Sequence, residues 1–495
     1  MKKWIVLMAL TVSLSGNASS ISVNSINALI KKNNGGWIAS ETSVSRLSDF
    51  EIKRLLGSLD RHEGNGLYED RTKSNEALDW RNVNGTNWIG PVLDQGRCGA
   101  CAAFASVATL EAQYRISSKL SWLNPTFSPQ QLFNCGGASC NRGWTPLSAA
   151  YFLKTKGIVD LSCVPYESGV TGEDVKCQKN FCQDQAERTY KILDYSSPSD
   201  GGGTMSEVKK ALTNGPLLTD MSVYEDFMVY SSGIYKSVSN KFLGYHAISI
   251  VGFNDEGRYW IVRNSWGTDW GEGGFVRISY DDKSGIGENT WAFETAKENN
   301  YISITSPTDH QYVSGVQTIK VNLEKPATSE VVVRSENGES LNLIACQGVA
   351  TQECTETVDT AKLKDGRYEI YAKSDKKRSQ VREFLVVNHE PQTSISFTGT
   401  GGVDLSKPQK GKIEFDIDVK ASPVIPQRVT FVIEDLSGKA IVNKVTKQVV
   451  EHMRLSFKTN TIPNGSYKIY YVAETPFNGV MIKAVSNKET LISNN

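Results

Sequence analysis

Residues 94–104 read DQGRCGACAAF, with two cysteines three apart between glycines, directly ahead of an apolar run. The run continues as AAFASVATLEAQYRI, where Phe104, Val107, Ala108 and Tyr114 fall on one helical face, so a helix is expected to begin at Cys101. A thiolate is the reactive form of cysteine, and a helix N-terminus with a nearby imidazolium lowers a thiol pKa enough to populate it near neutrality. Cys101 has that position; Cys98, in the preceding turn, does not. A zinc site is the competing reading of the C-x-x-C, but zinc takes four ligands and the chain has no second C-x-x-C. A thioredoxin-like redox pair is set aside with it.

A cysteine nucleophile needs a base, a group that orients the base, and a donor for the developing oxyanion. The chain holds five histidines. His62 lies in the leader and His310, His389 and His452 lie in the β-rich tail, so His246, in GYHAISIVGF, is the candidate in the mixed segment between them. RYWIVRNSWGTDWGEGGF follows, and its Asn264 offers a side-chain carbonyl that can accept from an imidazole and hold its tautomer.

Taken with DWR (79–81), SPQQLFNC (128–135) and VPYESG, these motifs stand in the order seen in the papain family of cysteine peptidases, which the chain resembles from about Leu78 to Phe293. The resemblance implies an α+β papain-like domain with a helical half and a β-barrel-like half. It implies Cys101 as nucleophile, His246 as base and later acid, Asn264 as orienter, Gln95 with the Cys101 backbone N–H as oxyanion donors, and Trp266 as a shield over the His–Asn pair. Gly143 would present backbone groups to an extended peptide, and Trp144 would line the non-primed side. Ala247 resembles the small residue that keeps the S2 pocket open, and Glu288 or Asn289 would reach its far end. Preferences from large apolar to basic P2 side chains stay open.

Nine cysteines is an odd number, which leaves at least one thiol unpaired. The family pattern implies Cys98 with Cys140 and Cys135 with Cys177, leaving Cys163 with Cys182; Cys346 and Cys354 would close a short loop in the tail. The sequence alone allows many other pairings. Two departures stand out: Ala102 follows the nucleophile where the family usually has Trp, and Arg142 takes the place of a glycine in CNRGW.

The chain of 495 residues is long enough for roughly three domains. Its 54 Lys+Arg balance 54 Asp+Glu, so no global field draws it to nucleic acid or an anionic membrane. Residues 1–18 read as a signal peptide: two lysines, an apolar segment shorter than the roughly 20 residues of a membrane span, and small residues ending at Ala18. Export is therefore expected, with no stable membrane insertion.

Residues 19–76 read as an inhibitory pro-segment, with Ile52, Leu55 and Leu56 at helical spacing, a Ser48–Glu51 capping box and a stop at Gly57. Residues 61–77 read as an exposed, cleavable linker, and the peptidase domain as 77–297. The short leader resembles that of the cathepsin B group. No histidine lies between Cys101 and His246 to build that group's exopeptidase loop, so endopeptidase action is expected.

Beyond Tyr301, short alternating runs separated by Gly, Pro, Asn and Asp give a β-sandwich texture. LKDGRYEIY (363–371) resembles IPNGSYKIY (462–470), with the glycines 99 residues apart. Two all-β sandwich domains, of immunoglobulin-like type, are expected at 301–389 and 390–495, as spacers or as binders of a surface or glycan.

The reading is thus a secreted papain-like endopeptidase made as a zymogen, acting on proteins or peptides without a cofactor or metal. A catalytically weak peptide-binding or adhesive protein is the alternative, and acyl transfer to an amine would use the same Cys–His chemistry.

Overall fold

The structure, a computed structural model, describes residues 21–493 apart from 46, 60–66, 68–75, 179–180, 183–184, 200–202, 297–301 and short stretches of the tail (309–310, 325–327, 336, 346–352, 375–376, 400–403, 406, 423–425, 447–451 and 478–479). The expected signal peptide, most of the linker and Cys346 therefore lie outside the described residues. The chain forms two compact units, one essentially of residues before 298 and the other of residues from 298 on.

The first unit opens with α1 (Val23–Lys32), β1 (Trp37–Ala39) and α2 (Asp49–Leu55). The capping box of α2 is formed: Glu51 Oε2 accepts from the Ser48 N–H at 2.8 Å, and Ser48 Oγ accepts from the Glu51 N–H at 3.3 Å. Ile52 and Leu55 turn inward and are buried. β2 (Ala77–Asp79) leads to α3 (Cys101–Ser118), α4 (Pro129–Cys135) and α5 (Pro146–Thr155). α4 and α5 start on Ser128 and Thr145 caps with proline next, as their sequences dictate.

The sheet of this unit continues with β3 (Asp194–Ser196), β4 (Leu217–Tyr224), β5 (Tyr230–Tyr235), β6 (Phe242–Asn254), β7 (Tyr259–Arg263), β8 (Phe275–Ser279) and β9 (Thr290–Glu294). Its order is β1-β5-β8-β7-β6-β4-β9-β3, with β2 added on β6. The leader thus contributes an edge strand: Trp37 pairs with Gly233, and its indole donates to the Lys236 carbonyl at 3.0 Å.

α3 differs from the amphipathic helix expected from its spacing. Every residue from Cys101 to Val107 is buried, because the helix runs between α4 and α5 on one side and β6 on the other. Thr109 and Ser249 bind hydroxyl to hydroxyl at 2.8 Å across the second contact.

In the tail, the runs singled out above are strands, among them Val316–Leu323, Ser329–Ser335, Gly366–Ser374, Lys412–Ser422, Arg428–Glu434 and Gly465–Phe477. The repeat extends to conformation. Gly366 and Gly465 have φ of +144° and +155°, and Tyr368 and Tyr467 each donate to the carbonyl four residues back, Lys364 and Pro463, at 2.9 Å. Among the described residues, a three-stranded and a six-stranded sheet share one apolar cluster, and a three-stranded and a five-stranded sheet share another.

Candidate active site

Cys101 opens α3 and is buried; no side chain caps this helix start, so its first N–H groups remain directed at the site. His246 and Ala247 lie in β6 opposite Met221 and Asp220 of β4. Asn264 follows β7 directly, and its N–H donates to the Gly274 carbonyl at 2.9 Å. The two strands bring His246 Nε2 to 2.8 Å from Asn264 Oδ1, which also accepts from the Ser265 N–H at 2.8 Å. His246 Nδ1 has no hydrogen-bond partner among the described residues. Trp266 covers the imidazole at 4.6 Å between ring centroids, and Trp270 meets Trp266 edge-on at 5.1 Å.

Gln95 is fully buried. Its amide donates to the Leu55 and Cys98 carbonyls, both at 3.0 Å, while its carbonyl accepts from Ser265 Oγ at 2.7 Å. Leu55 belongs to the leader, and the leader crosses the site. The backbone N–H groups of Ala247, Gly57 and Ala102 act on the Cys101 sulfur, and Gly57 packs on Gly99 so closely that a Cβ on it would stand 2.1 Å from the Gly99 oxygen. Gly143, at φ +77°, sits equally close: a Cβ there would meet the Gly57 oxygen at 2.0 Å.

The Trp144 N–H donates to the Gly57 carbonyl at 2.8 Å, the Leu59 N–H to the Trp144 carbonyl at 3.2 Å, and the Ser58 N–H to the Tyr245 carbonyl at 3.2 Å. Ser58 is thereby held between the two walls, parallel to Trp144 and antiparallel to Tyr245. The Trp144 ring itself packs against Gly136.

Burial sets the charge state of this covered site. The Cys101 thiol is pushed up from 9.0 to about 11, mainly by desolvation, with backbone donors lowering it and Asp220 raising it. His246 is pushed down from 6.5 to about 4 by desolvation, against the opposing bond to Asn264. Thiol and imidazole are therefore both neutral at pH 7 while the leader is in place.

Of the expected specificity residues, Ala247 is at the site, next to His246. Glu288 is buried in the turn after Gly285, and its carboxylate folds back over that glycine. The Asn289 carbonyl accepts from Thr219 Oγ1 at 2.7 Å, tying it to the residue before Asp220. Asp220 itself escaped the sequence reading. It is fully buried and accepts from Ser58 Oγ at 2.9 Å. Only its alignment with Ala247 across β4 and β6 brings it here, and no local motif marks it.

The structure joins Cys98 to Cys140, Cys135 to Cys177 and Cys163 to Cys182, and leaves Cys101 free. Cys354 is a half-cystine. No cluster of metal-ligating side chains occurs among the described residues.

A buried free cysteine at a helix start, beside a histidine held by an asparagine under a tryptophan, is the constellation of a thiol peptidase. The profile described as papain family cysteine protease matches residues 74–299. Over 213 residues the chain is 38% identical to Cathepsin B-like CP3 of Giardia intestinalis, covering 42% of this chain and 70% of that protein. It is 35% identical over 276 residues to Cathepsin B-like CP2 of the same organism, covering 54% and 89%. A procathepsin B of Trypanosoma congolense aligns with a TM-score of 0.48 at 25% identity, over 56% of this chain and 100% of its own. The chain belongs to the papain family of cysteine proteases and is a cysteine peptidase.

Proposed function

We propose that the protein is an exported cysteine endopeptidase, made as a zymogen whose residues up to about 76 block the cleft. Cys101 attacks the scissile carbonyl. His246 takes the thiol proton through Nδ1, the nitrogen left without a partner, and later returns it to the leaving amine. Asn264 holds the ring through Nε2, and Trp266 keeps water from that bond. The Gln95 amide and the Cys101 N–H receive the oxyanion.

The observation that carries the reading is the 2.8 Å His246–Asn264 bond beside the one free cysteine among the described residues, with the Gln95 amide already holding a carbonyl, that of Leu55. The same contacts support inhibition. The leader offers the sulfur a Gly57 N–H in place of a carbonyl carbon, fills the oxyanion site with a carbonyl, and desolvates the thiol–imidazole pair out of its ionised form. Endopeptidase action is supported by the lack of any histidine between Cys101 and His246. The tail is read as two sandwich modules, spacers or binders of a surface or glycan, and export as following from residues 1–18.

The test is hydrolysis of an unstructured protein by the chain trimmed at residue 76, beside Cys101→Ala, with products read by mass. Internal cuts that vanish in Cys101→Ala are expected. Stepwise loss of C-terminal dipeptides would overturn the endopeptidase assignment, and no Cys101-dependent cleavage would overturn the catalytic one.

A further inference from the structure

The cleft contains a buried carboxylate that the catalytic machinery does not use. Asp220 lies in β4 directly opposite Ala247, one position from His246, and its charge is felt at the Cys101 sulfur. It is fully buried, and residue 58 of the leader, fixed by backbone bonds on both sides, lies against it. Gly57 is the residue at the thiol, so Ser58 stands one residue removed from it, between Trp144 on one wall and Tyr245 on the other. Its short hydroxyl reaches Asp220 Oδ2 at 2.9 Å, so the carboxylate stands close under the backbone of whatever chain occupies the cleft.

We propose that Asp220 is a specificity-determining residue: it selects substrates whose second residue before the scissile bond donates a hydrogen bond close to the backbone, serine or threonine, and rejects aspartate and glutamate there. This rests on the reading that the cleft filled by residues 57–59 is the substrate cleft. A buried carboxylate is costly to leave facing an apolar group, and a like charge costs more. Threonine and valine have nearly the same shape, so the donor alone separates them. A hydrogen bond to a charged group corresponds to roughly a 10- to 100-fold difference in kcat/KM.

The experiment uses the chain trimmed at residue 76 and a fluorogenic peptide series that differs only at that position: Thr, Val, Ser, Ala and Glu. Active sites are titrated with an epoxide thiol inhibitor. The wild type is expected to prefer Thr over Val roughly tenfold or more and to reject Glu. Asp220→Val should bring the Thr/Val ratio to one or below. Asp220→Asn, which keeps an acceptor but not the charge, should retain a preference for Thr and relieve the rejection of Glu. Ratios cancel any loss of folded enzyme. A wild-type ratio near one, or a ratio unmoved in Asp220→Val, overturns the proposal even if that variant binds the free leader more weakly, since Asp220 would then serve only to hold the leader. Absence of both Cys101 labelling and hydrolysis would instead overturn the peptidase reading beneath it.

Discussion

The two walls of the cleft are held by different means. On the helical wall, Cys98–Cys140 ties the turn ahead of the thiol to the loop of Gly143 and Trp144, and two more bridges lie within residues 135–182. On the sheet wall, no disulfide occurs among the described residues. Asp220 and His246 are set by the register of β4 on β6, and Asn264 by the end of β7. A covalent tie holds a loop whatever its neighbours do, whereas a one-residue slip in register would turn every side chain of a strand to the other face. The helical wall is thus braced covalently, while the sheet wall depends on alignment along its whole length.

The largest effect that sharpens this contrast is expected at Gln95, the proposed oxyanion donor. Gln95→Ala is expected to lower kcat/KM of the trimmed enzyme by roughly 100- to 1000-fold with little change in KM, measured on a fluorogenic peptide. Next, replacing Cys163 and Cys182 together by serine opens a loop of 19-residue separation. That should cost about 3 kcal/mol in urea unfolding and leave kcat/KM of the folded enzyme unchanged. A fall in activity without a fall in stability would break the division between a braced wall and an aligned one.

Third, Gly57→Ala puts a methyl group against the Gly99 carbonyl. Overpacking of this kind costs about 1–3 kcal/mol, so a synthetic peptide of residues 48–59 carrying the change should inhibit the trimmed enzyme at least several-fold more weakly.

The smallest and broadest effect is pH. With the leader in place burial holds the pair at one proton, on the thiol, from about pH 4 up to about 11. The open pair holds one proton near neutrality too, on the imidazolium, so binding of the leader is level there; the open form gives that proton up before the covered thiol does, and alkali therefore favours release. Inhibition of the trimmed enzyme by the 48–59 peptide should be level near neutrality and weaken as the pH rises toward about 11. Inhibition that tightens with rising pH would contradict the sign.

The residues legible in the sequence were those that sit in a local signal. Cys101 precedes a visible helix, Asn264 and Trp266 share one short motif, and Ser48 with Glu51 writes its own cap. The repeat in the tail was legible because its turns carry matching glycines, Gly366 and Gly465, both at positive φ. What was not legible came from pairing across distance. The β1 strand of the leader, the enclosure of α3, and Asp220 all depend on which element lies opposite, and Asp220 in LLTDMSVY looks like any polar residue in a strand.

The most direct test of the account is the rate of Cys101 alkylation by iodoacetamide as a function of pH, in the uncleaved chain and in the chain trimmed at residue 76, with the modified peptide read by mass. The thiol should be unreactive from pH 5 to 8 in the uncleaved chain and react rapidly over that range once the leader is gone and the thiolate–imidazolium pair can form. Equal rates in the two forms would contradict it, because the leader would then neither cover the sulfur nor set its charge.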